Sequence, residues 1–156
     1  MATPQFELYH GIVLAQIIRN PKINIKLLER NNEFGWGAYE VSDNLITYRV
    51  FVKSSSQIRK TRKAGFSSAF TFSESDILRL RSLDINKHLL ICLVCADQEV
   101  CTLESEDIDN SRLLMEKTST NIIVYWSSNS RLHIKCRSEK LKYTIPRNKL
   151  INFNWI

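Results

Sequence analysis

The stretch from Tyr39 to Lys63, YEVSDNLITYRVFVKSSSQIRKTRK, constrains the fold of this chain more than any other. Leu45 to Lys53 is rich in β-branched and aromatic residues, a composition that fits a pleated, half-buried surface. Ser42-Asp43-Asn44 before it is a turn signal, and Trp36 to Val41 before the turn reads as a partner strand. A hairpin of this kind is marginal alone and needs further strands or a helix to bury one face. The fold must therefore contain a sheet, and the run SSSQIRKTRKAG that follows must leave it. Periodicity allows that run to be either an open loop or a short helix.

The remaining chain supplies the other layers. Leu8, Ile12, Leu14, Ala15, Ile17 and Ile18 recur near helical spacing, Thr3 before Pro4 is a start signal, and Asn20-Pro21 is a stop. Lys22 to Asn31 alternates Ile23, Ile25 and Leu27 with polar residues, the pattern of a half-buried strand. Phe66 to Phe72 reads as a strand, and Ser73 or Ser75 caps a helix that ends near Asp84. His88 to Ala96 is a continuous apolar run expected at the centre of a sheet, with Glu99 to Leu103 as its hairpin partner. A short helix with an acidic start over 105–115 and strands at 121–126, 131–137 and 141–145 complete the chain. The expected class is α+β, a single domain over residues 1–156 with a mixed, mainly antiparallel sheet and about three helices. The elements run α-β-β-β-β-α-β-β-α-β-β-β; the first part contains the order α-β-β-β and then α-β, and the C-terminal section is rich in β-strand.

Charge is distributed unevenly. The chain carries 22 Lys and Arg against 16 Asp and Glu, a formal charge of +6. Lys53, Arg59, Lys60, Arg62 and Lys63 fall together with no acid among them, and Arg131, Lys135 and Arg137 share one side of a strand with His133. Between these lie Glu104, Glu106, Asp107 and Asp109. Clustered cations favour a polyanion, so these eight basic residues are the candidate phosphate contacts for DNA or RNA. Tyr125, Trp126 and Tyr143 are candidates to stack on bases. The acidic stretch offers a second partnership, with a protein or another copy of the chain.

Signals for catalysis are sparse. Cys92 and Cys95 form a CxxC inside a strand, where residues three apart face opposite sides and chelate one metal poorly. Four such cysteines in apolar surroundings suit reduced thiols and a cytoplasmic location. No apolar run has the length that crosses a bilayer. No cofactor is expected. The three histidines, at 10, 88 and 133, are dispersed, and no glycine-rich phosphate loop is present.

The α-β-β-β-α-β order resembles the PD-(D/E)XK, restriction-endonuclease-like core, in which two carboxylates hold Mg²⁺ and a lysine orients the nucleophile. By that resemblance Glu7, Asp43 and Lys53 are the candidate catalytic residues of an Mg²⁺-dependent nuclease. Phe51, two residues before Lys53, departs from the pattern because a phenyl ring cannot bind the metal. The segments ELYHGIVL, LLERN, VFVKSS, FTFS, LICLVCADQEVCTLE and YTIPRNKL also resemble a family of short uncharacterised bacterial proteins. Together the two likenesses imply a degenerate nuclease core. The function they imply is a non-catalytic nucleic-acid-binding or accessory domain, in a bacterial genome-handling or phage-defence assembly.

Overall fold

The computed structural model describes residues 5–19, 22–31, 33, 35–42, 46–61, 65–84, 86–127, 131–136, 141–147 and 149–150. Among the described residues, three helices and ten strands lie in the order α1 (Gln5–Ile17), β1 (Asn24–Asn31), β2 (Trp36–Ser42), β3 (Thr47–Ser55), β4 (Arg59–Lys60), β5 (Phe66–Phe72), α2 (Glu74–Leu83), β6 (Leu89–Cys95), β7 (Glu99–Leu103), α3 (Ser105–Ser111), β8 (Thr120–Trp126), β9 (Leu132–Cys136) and β10 (Leu141–Ile145), with one 3₁₀ turn at Leu113–Met115. The α+β class holds. The strands form two sheets, β1-β2-β3-β6-β7 and β10-β9-β8-β5-β4. Every pairing is antiparallel except β3 with β6. The proposed start signal at Thr3-Pro4 and stop at Asn20-Pro21 lie outside the described residues.

The parallel pair explains how the sheets interlock. Parallel neighbours need a long crossover, and here it runs through residues 56–88. That crossover contributes β4 and β5 to the second sheet before α2 returns the chain to β6. The run after Ser55 is thus neither helix nor open loop throughout: Arg59 and Lys60 make a two-residue edge strand against Phe66 and Ser67.

The first sheet is buried on both faces, which is why β6 reads as an unbroken apolar run. Val50, Val52, Leu90, Cys92 and Val94 face α1, where Val13 and Ile17 complete a small core with Tyr39 and Val41. Phe51, Leu89, Ile91, Leu93 and Cys95 face the other way, toward Phe70, Phe72, Ile122, Val124, Leu132 and Ile134 of the second sheet. Ile77, Leu80 and Leu83 of α2, with Ile108 of α3, close that larger core. Cys92 and Cys95 do face opposite sides, and all four cysteines are buried free thiols. Burial pushes the Cys92 thiol up to about 12 and raises Cys95 and Cys101 well above the usual thiol value, so none of these three is a ready thiolate.

One strand breaks its sequence period. Register slips between Leu27 and Glu29 as β1 pairs with β2: Ile23 and Ile25 lie on the α1 side and Leu28 against the inter-sheet core, as alternation requires, but the bulge then sets Glu29 opposite Ala38 and reverses the period beyond it. Leu27, expected on the buried face, is 50% exposed.

His10 joins α1 to the β1–β2 turn. Its Nε2 lies 3.3 Å from the Gly35 carbonyl and its Nδ1 3.4 Å from the Tyr39 hydroxyl. A neutral ring that donates from Nε2 and accepts at Nδ1 satisfies both. Burial holds its pKa below the usual histidine value of 6.5, opposed by the Gly35 hydrogen bond and nearby Glu7 and assisted by nearby Arg30. A lowered histidine pKa means the unfolded chain takes up the proton first, so stability is full above about 6.5 and declines as pH falls toward the folded value. Thermal melts between neutral and mildly acid pH should show this decline, and His10→Gln should flatten it across the same window.

Candidate nucleic-acid interface

The basic strand identified in the sequence becomes part of an open sheet face. Alternation along β5, β8 and β9 turns Ser68, Phe70, Ile122, Val124, Leu132 and Ile134 inward and leaves Ser67, Ala69, Ile123, Tyr125, His133 and Lys135 outward. Register sets Arg59, Ser67, Tyr125, His133 and Thr144 in one row across all five strands. Ala69, Ile123 and Lys135 form the adjacent row. The helices pack elsewhere, α1 on the far side of the first sheet and α2 and α3 into the inter-sheet core.

Tyr125 is the centre of this face. The Lys135 ammonium sits 4.5 Å from its ring centroid, within cation–π range. Arg131 Nε donates to Thr144 Oγ1 at 3.3 Å, which holds its guanidinium beside the His133 end of the row. Arg59 occupies the opposite edge. Among the described residues, no acidic side chain lies on this face.

Beside Tyr125 the face dips into an open groove of ≈540 Å³, lined by Thr61, Gly65, Phe66, Trp126, Ser127, His133 and Lys135 as well. Phe66 and Trp126 stack there, with centroids 6.0 Å apart. The β4–β5 connection is pinned by Thr61 N–H donating to the Gly65 carbonyl at 2.9 Å and Gly65 N–H donating to Thr61 Oγ1 at 3.1 Å. A Cβ at residue 65 would stand 2.7 Å from the Trp126 carbonyl oxygen, so only glycine allows this approach. Nothing local in the sequence marks Gly65 as part of a site, since the contact it permits is 61 residues away in the chain.

The eight expected phosphate contacts do not form one cluster. Arg59, Arg131 and Lys135 share the open face, Arg59 at one edge and the other two toward the opposite one. Lys60 pairs with Phe66, so its side chain leaves the edge strand on the inner side, opposite to Arg59. Arg62, Lys63 and Arg137 lie outside the described residues, as does Asp43. Lys53 is the clear correction: it points into the inter-sheet core with 6% exposure, and its ammonium is 3.4 Å from Asp76 Oδ2 and 5.5 Å from the Phe72 ring centroid. Burial lowers its pKa while the Asp76 carboxylate pulls the other way. A phosphate on the surface cannot use this charge. Of the three aromatics proposed to stack on bases, only Tyr125 faces outward. Tyr143 packs against the inter-sheet core, and Trp126 reaches the groove from within it.

The proposed catalytic set is likewise separated. Glu7 sits on α1, on one side of the first sheet, and pairs with Arg30. Lys53 projects from the other side, and Phe51 beside it fills the core. No metal ion can touch both across a sheet. Among the described residues, no three histidine, cysteine or carboxylate side chains converge.

The acidic helix is answered from within the chain. Lys149 Nζ lies 2.5 Å from Asp107 Oδ2 and 2.8 Å from Glu104 Oε2, and Lys87 Nζ lies 3.3 Å from Asp109 Oδ2. Burial pulls the Lys149 ammonium down, but these carboxylates outweigh it and hold its pKa above the usual lysine value. Three of the four acids expected to attract a partner are thus already engaged.

Comparison of the chain with protein-family models, with curated proteins and with solved structures returns no match.

Asp76 does two jobs, which separates it from Lys53. Its Oδ2 accepts from Lys53 and also from Ser73 N–H at 3.1 Å, while Ser73 Oγ accepts from Asp76 N–H at 3.1 Å, the reciprocal cap of α2. Asp76→Ala removes both the carboxylate beside the buried Lys53 ammonium and the cap of α2, and should cost about 3–5 kcal/mol. Lys53→Met leaves Asp76 still capping the helix and should cost clearly less. Urea denaturation of the two variants checks that order.

Proposed function

We propose that this protein binds nucleic acid through the outer face of its second sheet, without cleaving it. The observation that carries the reading is the row from Arg59 through Tyr125 and His133 to Thr144, with Arg131 and Lys135 beside it and no described acid on the face. Arginines supply forked donors that match phosphate oxygens, and lysine supplies a compact charge. Ser67 and Thr144 add neutral donors of the kind that fix a backbone in place. Tyr125 offers an aromatic surface at the middle of the cationic row, where a base can rest while the flanking phosphates meet the cations.

Binding alone, rather than hydrolysis, is favoured by the positions of the catalytic candidates. Glu7 and Lys53 project from opposite sides of the first sheet, each held in an ion pair. Phe51 occupies the position where the nuclease pattern places a carboxylate, and it is fully buried.

The test is fluorescence anisotropy with labelled DNA and RNA across a salt series. Affinity should fall between about 50 and 200 mM salt, because phosphate neutralisation releases counterions. Arg59→Ala, Arg131→Ala and Lys135→Ala should each weaken binding and reduce the salt slope by roughly one contact. Binding that ignores salt, or none at low salt, overturns the reading.

A further inference from the structure

We infer that the ligand is single-stranded, and that one unpaired base enters the groove beside Tyr125 while its flanking phosphates lie on Arg131 and Lys135. This rests on the nucleic-acid reading and adds the strandedness and the base contact.

Width argues first. Five strands at about 4.8 Å spacing make a face about 19 Å across, whereas the major groove of B-form DNA is about 12 Å wide and admits one helix or a two-stranded ribbon. This sheet cannot enter that groove face-on, so it cannot bring Tyr125 to the base edges of an undeformed duplex. A single strand has no such restriction, because its bases are free to turn toward the protein.

Chemistry and volume point the same way. A duplex offers its phosphates and buries its base faces, so a tyrosine on a purely duplex-binding surface can use its hydroxyl but not the face of its ring. Tyr125 stands there, half-buried, with its ring already flanked by the Lys135 cation. The adjoining groove combines the Phe66–Trp126 aromatic pair with the polar groups of Thr61, Ser127 and His133. At ≈540 Å³ it falls within the range of sites that enclose small organic ligands, about 300–1,000 Å³. Apolar walls with a few hydrogen-bonding groups suit a flat heterocycle with polar edges. Lys135 and His133 lie at the boundary between groove and open face, where the base must join its phosphodiester backbone.

Anisotropy with probes of about twelve nucleotides tests this. The probes are oligo-dT, oligo-U, a mixed-sequence DNA duplex of the same length and a deoxyribose-phosphate strand lacking bases. The two base-bearing single strands should bind more tightly than the duplex and the abasic strand at equal salt. Tyr125→Ala should weaken single-strand binding roughly 5- to 150-fold, the range for loss of one stacked base, with the salt slope unchanged. Tyr125→Phe keeps the ring and should bind like the parent chain. Tyr125 is half-buried in a strand, so Tyr125→Ala should melt somewhat lower but still cooperatively, and Tyr125→Phe should keep the parent's melting temperature. A duplex or abasic strand that binds as well as the base-bearing single strands overturns this inference while leaving phosphate binding intact. Failure of every probe to bind at low salt overturns both.

Discussion

The Phe51 ring is the contact across which the two sheets meet. It lies 5.1 Å from Trp36 within the first sheet and 6.4 Å from Phe72 of the second, centroid to centroid, and it is fully buried. Its neighbours Val50 and Val52 face α1, so β3 carries one layer on each side. Burying a side chain of this size contributes roughly 1.5–3 kcal/mol by transfer alone, and removal would open a cavity at the junction of both sheets. A carboxylate in the same place would be an uncompensated buried charge. The position that a nuclease would give to a metal ligand is therefore committed here to packing.

The same logic sorts the charges. Lys53 extends along the inter-sheet face and meets Asp76 at the N-terminus of α2, where the carboxylate also caps the helix. Glu7 meets Arg30, and Glu104 and Asp107 meet Lys149. Each of these pairs joins elements that are distant in the chain. Cancellation inside the fold leaves Arg59, Arg131 and Lys135 together on a surface without described acids. The overall +6 charge thus understates how cationic that face is.

Local pattern was legible where one rule governed it. A cap at Ser73 or Ser75 was readable from serines just before an apolar helical pattern, and the structure selects Ser73, which closes a reciprocal pair with Asp76. The β6 run was readable as a central strand because nothing polar interrupts it. The alternation of Arg131, His133 and Lys135 with Leu132 and Ile134 already implied a polar face. Leu27 keeps the side of the sheet that its alternation with Ile25 implies, yet is half exposed, because how far a sheet face is covered is set by what packs on it and not by β1.

The sequence by itself determined the α+β class, the order of nearly every element and the one-sided character of β9, because these follow from periodicities of two and 3.6 residues and from local turn chemistry. Only the tertiary structure decided that the strands divide into two sheets, since strand pairing depends on partners far apart in the chain. It also decided that Lys53 is a core charge while Arg59, six residues later, is a surface one. Neither the groove nor the isolation of Glu7 from Lys53 could be read locally. Both depend on which face of a sheet is covered, and that is set by packing over the whole molecule.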